Sequence, residues 1–340
     1  MYICRYKGTM FRYSFSYIKF YFERISLFKI VNLLKLSIAY SVSVIIRKPI
    51  MWGKPAFLSI EPTNICNLHC PECPTGGGFS NVSKGYMSVD VVDALLPIIK
   101  LSVQHVNLFF QGEPFLNKEL PEIIKKISHY SLVTISTNGH FISNENVSEI
   151  VNSGLFKIIV SVDGIDQEQY SRYRVGGDFQ KVIDSIKLLK QAKGDKFFPI
   201  IEMQCLIFNY TETVKSEYLS LAQNLGVDSV QFKTAQFYNK EEALKYMPSD
   251  EYSRYVVEND KLKIKNKLRN RCWRMWSGSV ITWNGDVVPC CFDKDKTFVL
   301  GNVLSTQLFE IWGHLIYRKF RAAIFRNRKK ISMCNNCTEV

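Results

Sequence analysis

From residue 55 onward, short runs rich in β-branched and aromatic residues alternate with longer stretches whose apolar residues recur at helical spacing. The short runs predict six strands, at 56–60, 105–110, 132–136, 156–162, 200–208 and 229–232. The longer stretches predict helices between these strands, at 89–100, 118–130, 144–152, 179–193 and 212–224. This alternation stops after Ala235.

Six successive β-α repeats predict parallel strands that are joined by right-handed crossovers, in a sheet that curls toward a barrel. Eight repeats would close a full barrel, so six leave a wide mouth at the C-terminal ends of the strands. We therefore predict an α/β fold, a partial (β/α)6 TIM-like barrel, over residues 55–235. Functional groups are expected at its mouth.

The segment before the repeats, residues 1–54, contains one long candidate helix between Ile25 and Ile46. Its apolar residues recur at helical spacing, at Leu27, Ile30, Val31, Leu34, Ile38 and Ala39. Lys29, Asn32 and Lys35 interrupt it, so it falls short of the roughly 20 apolar residues of a membrane span. We predict an amphipathic helix that packs on the following domain, with a membrane surface as the alternative. No signal peptide is expected.

Three patterns follow the repeats. Residues 241–260 have a helical pattern, and 261–271 carry a cation at every second position. The second pattern is typical of a charged linker or, if it is extended, of a strand with one basic face. Within 280–289, Asn284-Gly285 predicts a hairpin turn. The predicted domains are an extension (1–54), the barrel (55–235), a linker (236–271) and a small α+β domain (272–340).

Charge is distributed unevenly along the 340 residues, whose net charge is +13. Residues 1–55 carry +9, residues 56–260 carry −7 and residues 261–340 carry +11. The basic ends would suit an acidic electron donor, anionic lipid or RNA, and a solvated surface is the alternative. No DNA partner is expected. Most of the ten cysteines are grouped in short motifs, which indicates metal ligation in a reducing compartment such as the cytoplasm.

The strongest chemical motif is a C-x3-C-x2-C array formed by Cys66, Cys70 and Cys73, directly after the first predicted strand. A [4Fe–4S] cluster takes four ligands, so three thiolates leave one iron open to an outside ligand. Zinc is the alternative reading, although structural zinc sites are closed by four ligands and favour paired C-x2-4-C spacing.

The array resembles the signature of radical S-adenosylmethionine (SAM) enzymes, in which the open iron is chelated by the amino and carboxylate groups of SAM. Gln111-Gly-Glu-Pro114, at the end of the second predicted strand, is similar to the glycine–glutamate motif of that family. The resemblance implies that Gly112 and Glu113 hold the SAM amino group. An aromatic residue often precedes the third cysteine in the family, whereas Glu72 stands there in this chain.

Other polar residues end the next two strands, Ser136 and Asn138 after the third strand and Ser161 and Asp163 after the fourth. The resemblance implies that they contact the carboxylate and ribose of SAM. Arg174 is a further candidate, because a guanidinium can clamp a carboxylate bidentately. A surface arginine is the alternative.

A second group of cysteines lies near the C-terminus, at Cys272, Cys290, Cys334 and Cys337, with Cys291 as the alternative to Cys290. The predicted hairpin between the first two would return the chain to Cys272. This stretch is similar to the SPASM or twitch extension of radical SAM enzymes, which implies an auxiliary [4Fe–4S] cluster. A zinc ion held by four thiolates is the alternative.

Together, these resemblances imply an enzyme that reductively cleaves SAM to a 5′-deoxyadenosyl radical and abstracts hydrogen from a substrate. We expect net oxidation of a small-molecule or sugar-like metabolite, with flavodoxin or ferredoxin as electron donor. The alternatives are a peptide maturase, an RNA-modifying enzyme and a non-catalytic iron–sulfur protein that binds SAM. No residue stands out as a general base. We expect a cytoplasmic protein, with 25–46 as a candidate membrane contact.

Overall fold

The computed structural model describes residues 2–4 and 13–337. The chain forms two compact units. The first unit comprises Cys66–Phe79 and Thr134–Asn266 together with the N-terminal strand, and the second comprises Ile18–Ile65, Ser80–Val133 and the chain from Lys267 onward. The domain boundaries given above stay a prediction.

The α/β class is as predicted, because strands and helices alternate along the middle of the chain. The strands are β1 (Tyr2–Cys4), β2 (Phe57–Ile60), β3 (His105–Leu108), β4 (Leu132–Thr137), β5 (Lys157–Ser161), β6 (Ile200–Ile207), β7 (Ser229–Thr234), β8 (Tyr255–Glu258), β9 (Lys261–Ile264), β10 (Gly278–Ile281), β11 (Asp286–Val288) and β12 (Gly301–Asn302). The α-helices are α1 (Tyr13–Phe22), α2 (Leu27–Ile46), α3 (Val89–Leu101), α4 (Leu120–Ser128), α5 (Val147–Asn152), α6 (Gln167–Tyr173), α7 (Phe179–Lys193), α8 (Lys215–Asn224), α9 (Lys240–Tyr246), α10 (Arg274–Ser277), α11 (Leu308–Gly313) and α12 (Leu315–Asn327).

In the first unit, β4, β5, β6 and β7 are parallel neighbours in that order, and β1 pairs antiparallel with β7. One face of these strands is apolar, with Ile158, Ile201 and Val230 among its buried residues. This face is covered by helices, since Tyr218 of α8 packs its ring 5.3 Å from that of Phe232 in β7. Burial of these residues fixes the register, because a shift of one residue would turn them to the other face.

In the second unit, β2 lies between β3 and β10 and is parallel to both. Strand β10 forms a hairpin with β11, and the predicted Asn284-Gly285 turn is confirmed, with a φ of 86° at Gly285. The parallel pairing of β10 with β2 was not predicted, because nothing in the local pattern specifies a partner more than 200 residues away. Backbone hydrogen bonds flank it, from Ala56 N to Ser277 O at 2.9 Å and from Glu61 N to Ile281 O at 2.9 Å.

Most of the predicted strands and helices are confirmed within a few residues, but the helix over 241–260 is wrong in its second half. Helix α9 ends at Tyr246, and the extended Met247 precedes Pro248, which disfavours a helical conformation in the residue before it. The chain then turns into the antiparallel hairpin of β8 and β9. In this hairpin, Val256 and Val257 have the β-branched side chains that favour strands.

The packing of helix α2 also differs from the prediction. The helix begins after Ser26, whose hydroxyl accepts a hydrogen bond from the amide of Lys29 at 3.4 Å. It packs against other segments of the second unit, of which it is a part, through a stripe that includes Lys29 and Asn32. The predicted apolar contact face is therefore wrong, since Leu27, Leu34 and the other large members of that set are exposed.

Glu61, at the end of β2, is hydrogen-bonded to the β10–β11 turn. Its side chain is buried and accepts a hydrogen bond from Trp283 N at 3.2 Å. Burial raises the pKa of this carboxyl from 4.5 to about 7. Between pH 4.5 and about 7, the Glu61 carboxyl is therefore protonated in the folded chain and ionised in the unfolded chain. The free energy of unfolding falls as the pH rises through this range.

We expect the Glu61→Gln variant to lose this pH dependence, which amounts to about 3 kcal/mol in the free energy of unfolding. Anaerobic denaturant unfolding at pH 5 and pH 8 measures it, with Glu310→Gln, an exposed carboxyl of α11, as the matched control. An equal pH dependence in wild type and Glu61→Gln would contradict the prediction.

Candidate functional site

The cysteine array lies in a tight loop of the first unit. Cys70 is buried, whereas Cys66 and Cys73 are half-buried. The loop turns through a hydrogen bond from Cys73 N to Cys70 O at 3.1 Å. It then folds back on itself at Gly76, where a Cβ atom would lie 2.8 Å from Cys70 N. Glycine is needed at this close approach.

An apolar and aromatic cluster of the first unit supports this loop. Leu68 and Cys70 pack in a buried group with Tyr173, Phe208 and Phe237. The rings of Tyr173 and Phe208 are 4.6 Å apart. Because close-packed aromatic residues leave little room for movement, this cluster fixes the path of the loop.

Asn138 braces the loop from the end of β4. Its amide nitrogen donates to Asn67 Oδ1 at 2.7 Å and lies 3.9 Å from Cys66 Sγ. Its side-chain oxygen accepts from the backbone amide of His140 at 3.1 Å. The predicted contact of Asn138 with SAM stays a prediction, and the polar atoms of Asn138 contact the cysteine loop and its own turn.

The half-buried Arg174 pairs with the buried Asp163 beside Cys70. Arg174 Nε donates to Asp163 Oδ2 at 2.6 Å, and the other carboxylate oxygen accepts from Leu206 N at 2.6 Å. Asp163 therefore orients the guanidinium, and Arg174 Nη1 lies 4.0 Å from Cys70 Sγ. Burial raises the pKa of the Cys70 thiol to about 12, whereas the charge of Arg174 acts in the opposite direction. The arginine thus supplies positive charge where a thiolate or an anionic group would need it.

Glu72, the residue that departs from the family pattern, has a structural role in the loop. Its carboxylate accepts from Tyr238 N at 2.6 Å and from Asn239 Nδ2 at 3.3 Å. It therefore ties the loop to the N-terminus of α9, where Asn239 is the capping residue. Sequence reasoning did not find this role, because the contact joins residues far apart in the chain.

The second face of the first unit's sheet is polar, and sequence reasoning missed it. Ser161, Gln204 and Gln231 are register partners on β5, β6 and β7, and they share this face. Gln204 Nε2 donates to Gln231 Oε1 at 3.0 Å. Ser136 lies on the same face of β4, through its pairing with Ile159 of β5. The second face of these strands therefore offers hydrogen-bonding groups from three neighbouring strands.

The glycine–glutamate motif lies in the second unit, in a turn that Gly112 makes possible with a φ of +72°. A Cβ atom at this position would lie 2.4 Å from Thr63 O and 2.7 Å from Ile65 O. Glu113 N donates to Ile65 O at 2.8 Å, and the buried Glu113 carboxylate accepts from Phe115 N at 3.2 Å. The motif is therefore packed on the segment that immediately precedes Cys66 in the sequence.

We expect Gly112→Ala to weaken SAM binding to the reconstituted protein at least roughly tenfold. A left-handed conformation costs a residue with a side chain about 1–3 kcal/mol, and the close carbonyl oxygens would force the turn to move. Gly194→Ala is the matched control, because Gly194 has a φ of +52° with open space around it. Equilibrium SAM binding measures the effect, and an unchanged affinity in Gly112→Ala would show that the turn does not shape the SAM site.

The C-terminal cysteines converge in the second unit. Cys272, Cys290, Cys334 and Cys337 line one cavity, and all four are buried. Cys291 lines a different cleft, and its sulfur accepts from Arg274 Nη1 at 3.6 Å. The structure thus brings together the four predicted ligands around one cavity, which Cys291 does not line, although Cys290 also lines the cleft of Cys291.

A buried arginine, Arg328, completes this cavity. The residue is 1% exposed, and its guanidinium donates to Cys337 Sγ at 3.0 Å and to Arg271 O at 2.8 Å. Burying a positive charge is costly unless a negative partner lies close by. Thiolates that ligate a metal centre supply that negative charge, so the donor set and its arginine fit an anionic cluster.

We expect Arg328→Met to make the reduction potential of the auxiliary cluster more negative by about 60–130 mV. A hydrogen bond from a charged group is worth about 1.5–3 kcal/mol, and its loss disfavours the added electron. Arg326→Met, a change at an exposed position of α12, is the control. An EPR-monitored redox titration measures the potential, and equal values in the two variants would contradict this role.

Among the described residues, no group of three or more His, Cys, Asp or Glu side chains could hold a single metal ion. A zinc ion needs its thiolates close together, since each Zn–S bond is about 2.3 Å. A cubane cluster spreads its thiolates over four iron atoms, so its ligands lie farther apart than those of a zinc ion.

Comparison with protein families gives two matches. Residues 60–212 match the model of the radical SAM superfamily, and residues 272–338 match the SPASM model, an iron–sulfur cluster-binding domain. A probable GTP 3′,8-cyclase of Archaeoglobus fulgidus is 32% identical over 130 residues. This match covers 38% of the present chain and 43% of the cyclase, so the chain spans less than half the length of this relative.

Solved structures show the same fold. BtrN in complex with AdoMet and 2-DOIA has a TM-score of 0.52 at 20% identity, covering 85% of this chain and 95% of BtrN. Streptococcus suis SuiB bound to S-adenosylmethionine has a TM-score of 0.61 at 17% identity, covering 84% of this chain and 71% of SuiB. The predicted fold, a partial barrel with a small C-terminal domain, is confirmed by these similarities.

Proposed function

Because the chain belongs to the radical SAM superfamily and carries a SPASM iron–sulfur domain, we propose that it oxidises a small, polar, sugar-like alcohol by hydrogen abstraction. The radical SAM class makes it an enzyme whose cofactors are a SAM-binding [4Fe–4S] cluster, SAM and an auxiliary [4Fe–4S] cluster. When bound, the reduced first cluster supplies the electron that cleaves SAM to methionine and a 5′-deoxyadenosyl radical.

The chain's own residues would hold these groups. Cys66, Cys70 and Cys73 would ligate the first cluster, in a loop that Asn138 and Arg174 brace. Gly112 and Glu113 would hold the SAM amino group in a turn formed by backbone contacts. Cys272, Cys290, Cys334 and Cys337 would ligate the auxiliary cluster. Its iron would take up one electron from the substrate radical while the hydroxyl proton passes to water.

The polar face of β4–β7 is the observation that carries the substrate proposal. Ser161, Gln204 and Gln231 form a row of hydroxyl and amide groups on the sheet face opposite the one that carries Ile158, Ile201 and Val230. Such groups can donate to and accept from the hydroxyls of a sugar-like molecule. BtrN, which has the same fold, is bound to AdoMet and 2-DOIA, and the likeness is consistent with a small substrate.

The experiment is an anaerobic assay of the reconstituted enzyme with dithionite, SAM and a panel of hexoses, cyclic polyols and amino sugars. We expect at least one compound to increase 5′-deoxyadenosine formation and to lose two hydrogens, detected as a mass decrease of about 2 Da. Gln204→Leu should weaken this substrate response while SAM cleavage without substrate stays unchanged. Gln223→Leu, an exposed change on α8, is the matched control.

Two results would overturn the substrate proposal. One is conversion of a peptide or an RNA by an enzyme that leaves every sugar-like compound unchanged. The other is an equal response to the alcohol substrate in wild type and Gln204→Leu. In either case the cleavage of SAM would stand, because it does not depend on the substrate.

An acidic electron donor such as flavodoxin or ferredoxin is part of the proposal. The β8–β9 hairpin exposes Lys261 and Lys263, and Lys265 follows it on the same alternating face. Acidic redox proteins dock on basic surfaces through complementary charge. We further propose a cytoplasmic enzyme that contacts the membrane peripherally through residues 25–46.

A further inference from the structure

Helix α2 displays an apolar face to solvent. Leu27, Ile30, Val31, Leu34, Ile38 and Ile45 lie on this face, and they range from 38% exposed at Val31 to 79% exposed at Ile45. Phe22, at the end of α1, adds another large apolar side chain that is 72% exposed. A contiguous apolar surface of this kind marks an interaction site on a protein surface.

The opposite face of α2 holds the helix in this orientation. Lys29, Asn32, Leu36, Ala39 and Ser43 form the buried stripe. Successive residues of a helix are rotated by about 100°, so this stripe lies opposite the apolar face. Lys29 Nζ donates to Tyr130 O at 2.6 Å and Asn32 Nδ2 donates to Lys54 O at 2.9 Å, which ties the polar side chains to the second unit.

In an ordinary globular protein, the apolar stripe of a surface helix faces the core. In α2 the large apolar residues face solvent, and the buried stripe contains Lys29 and Asn32. The buried hydrogen bonds of Lys29 and Asn32 would be lost if the helix rotated about its axis. The outward direction of the apolar face is therefore built into the packing.

Contrary to the expectation from the sequence, helix α2 is long and apolar enough to cross a membrane, as the one such helix in the described part of the chain. A spanning helix would be exposed to lipid around its circumference, whereas α2 keeps one side docked on protein by polar contacts. Its 20 residues would extend about 30 Å along a surface. The geometry fits a helix that lies in the membrane interface.

A basic cleft adjoins the C-terminal end of α2. Arg47, Arg269 and Arg271 line it with Val44 and Asn270, and its volume is about 310 Å³. Each of the charged side chains that line it, among the described residues, is an arginine. Arginine forks bind phosphate oxygens bidentately, so this cleft suits the phosphate of a lipid headgroup next to the exposed Ile45.

We propose that α2 lies flat on an anionic phospholipid bilayer, with its apolar face among the acyl chains and the arginine cleft on the headgroup phosphates. Residues 1–55 carry ten Lys/Arg and one acidic residue. This charge is complementary to anionic lipid, whereas a second copy of the chain would bring equally basic surfaces together. The proposed peripheral membrane contact would thus be made by the apolar face of α2 and the arginine cleft, independently of the SAM chemistry.

The test is flotation of the anaerobically reconstituted protein with vesicles of phosphatidylglycerol and phosphatidylcholine, compared with vesicles of phosphatidylcholine alone. We expect wild type to float with the anionic vesicles. The double change Leu34→Glu/Ile38→Glu should weaken binding more than tenfold, since it puts two charges among the acyl chains. Leu244→Glu/Leu304→Glu is the matched control, because both leucines are 57% exposed at positions outside α2, and it should float like wild type.

A second variant tests the cleft. Arg47→Gln/Arg269→Gln should reduce the preference for anionic over neutral vesicles about 25-fold, because each cation near an anionic surface contributes about a fivefold gain in binding. Soluble inorganic phosphate at millimolar concentration should not release the protein from the vesicles. Release by phosphate would show that the cleft binds the free anion, which would contradict a lipid site.

Two further outcomes would overturn the proposal. In one, wild type does not float with anionic vesicles. In the other, wild type forms a dimer that Leu34→Glu/Ile38→Glu dissociates, while neither protein binds vesicles. Iron content and 5′-deoxyadenosine formation are measured on the same samples. Normal values in the α2 variant exclude misfolding, and vesicle binding without SAM cleavage would refute the proposed function while the membrane surface stands.

Discussion

Replacing Cys66, Cys70 and Cys73 together by alanine removes about four iron atoms per chain and abolishes the formation of 5′-deoxyadenosine. The three sulfurs belong to one loop, which Asn138 and Arg174 hold by contacts to Asn67 and Cys70. Without these residues, no thiolate remains in this loop to ligate the cluster that must deliver the electron to SAM. Iron analysis and chromatography of the reaction products measure the two losses.

Cys205→Ala is the matched control for this triple change. Cys205 is a free, buried thiol of β6 that belongs to neither cysteine group. The control should retain all its iron and cleave SAM at the rate of wild type. If the triple variant still produces 5′-deoxyadenosine under reducing conditions, the assignment of these three cysteines is wrong.

The second large effect is expected from Cys334→Ala/Cys337→Ala. This change should remove about four other iron atoms, spare SAM cleavage and abolish the oxidised product. The two cysteines line the auxiliary cavity with Cys272 and Cys290, beside the buried Arg328. An oxidation needs an acceptor for the substrate's second electron, and this cluster is the proposed acceptor.

Metal analysis of the same variant separates a cluster from a zinc site. A loss of one zinc ion with all iron retained would establish the zinc alternative at Cys334 and Cys337. If all iron is retained and no zinc is lost, neither metal is bound there and the auxiliary-cluster assignment is wrong. Continued formation of oxidised product after loss of the auxiliary iron would contradict the electron-acceptor role.

The sequence alone was enough to predict the local features of the fold. Alternation of β-branched and helical patterns marked the six strands of the barrel and the helices between them. Close cysteine spacing marked the loop at 66–73, because ligands within one loop need no knowledge of the fold. The Asn284-Gly285 turn followed from the same local chemistry.

Contacts between distant residues could not be predicted in this way. The pairing of β10 with β2, the clamp of Glu72 on the N-terminus of α9 and the polar row of Gln204 and Gln231 each join separate segments. Arg328 is a similar case, since only the folded chain places it beside Cys337. A single sequence contains no local signal for such neighbours.

For helix α2, the sequence pattern predicted the helix but not which of its faces is buried. Its amphipathic pattern was recognised, but the pattern alone assumes that the apolar side faces protein. The docking of Lys29 and Asn32 on backbone carbonyls reverses that assumption. The pattern gives the helix and its two faces, whereas the surroundings decide which face is buried.

The most direct test of the central claim is anaerobic reconstitution, followed by iron and sulfide analysis and by incubation with dithionite and SAM. We predict about eight iron atoms per chain and formation of 5′-deoxyadenosine, as expected for two [4Fe–4S] clusters of which one binds SAM. A protein that carries its full iron content and still leaves SAM intact would contradict the account.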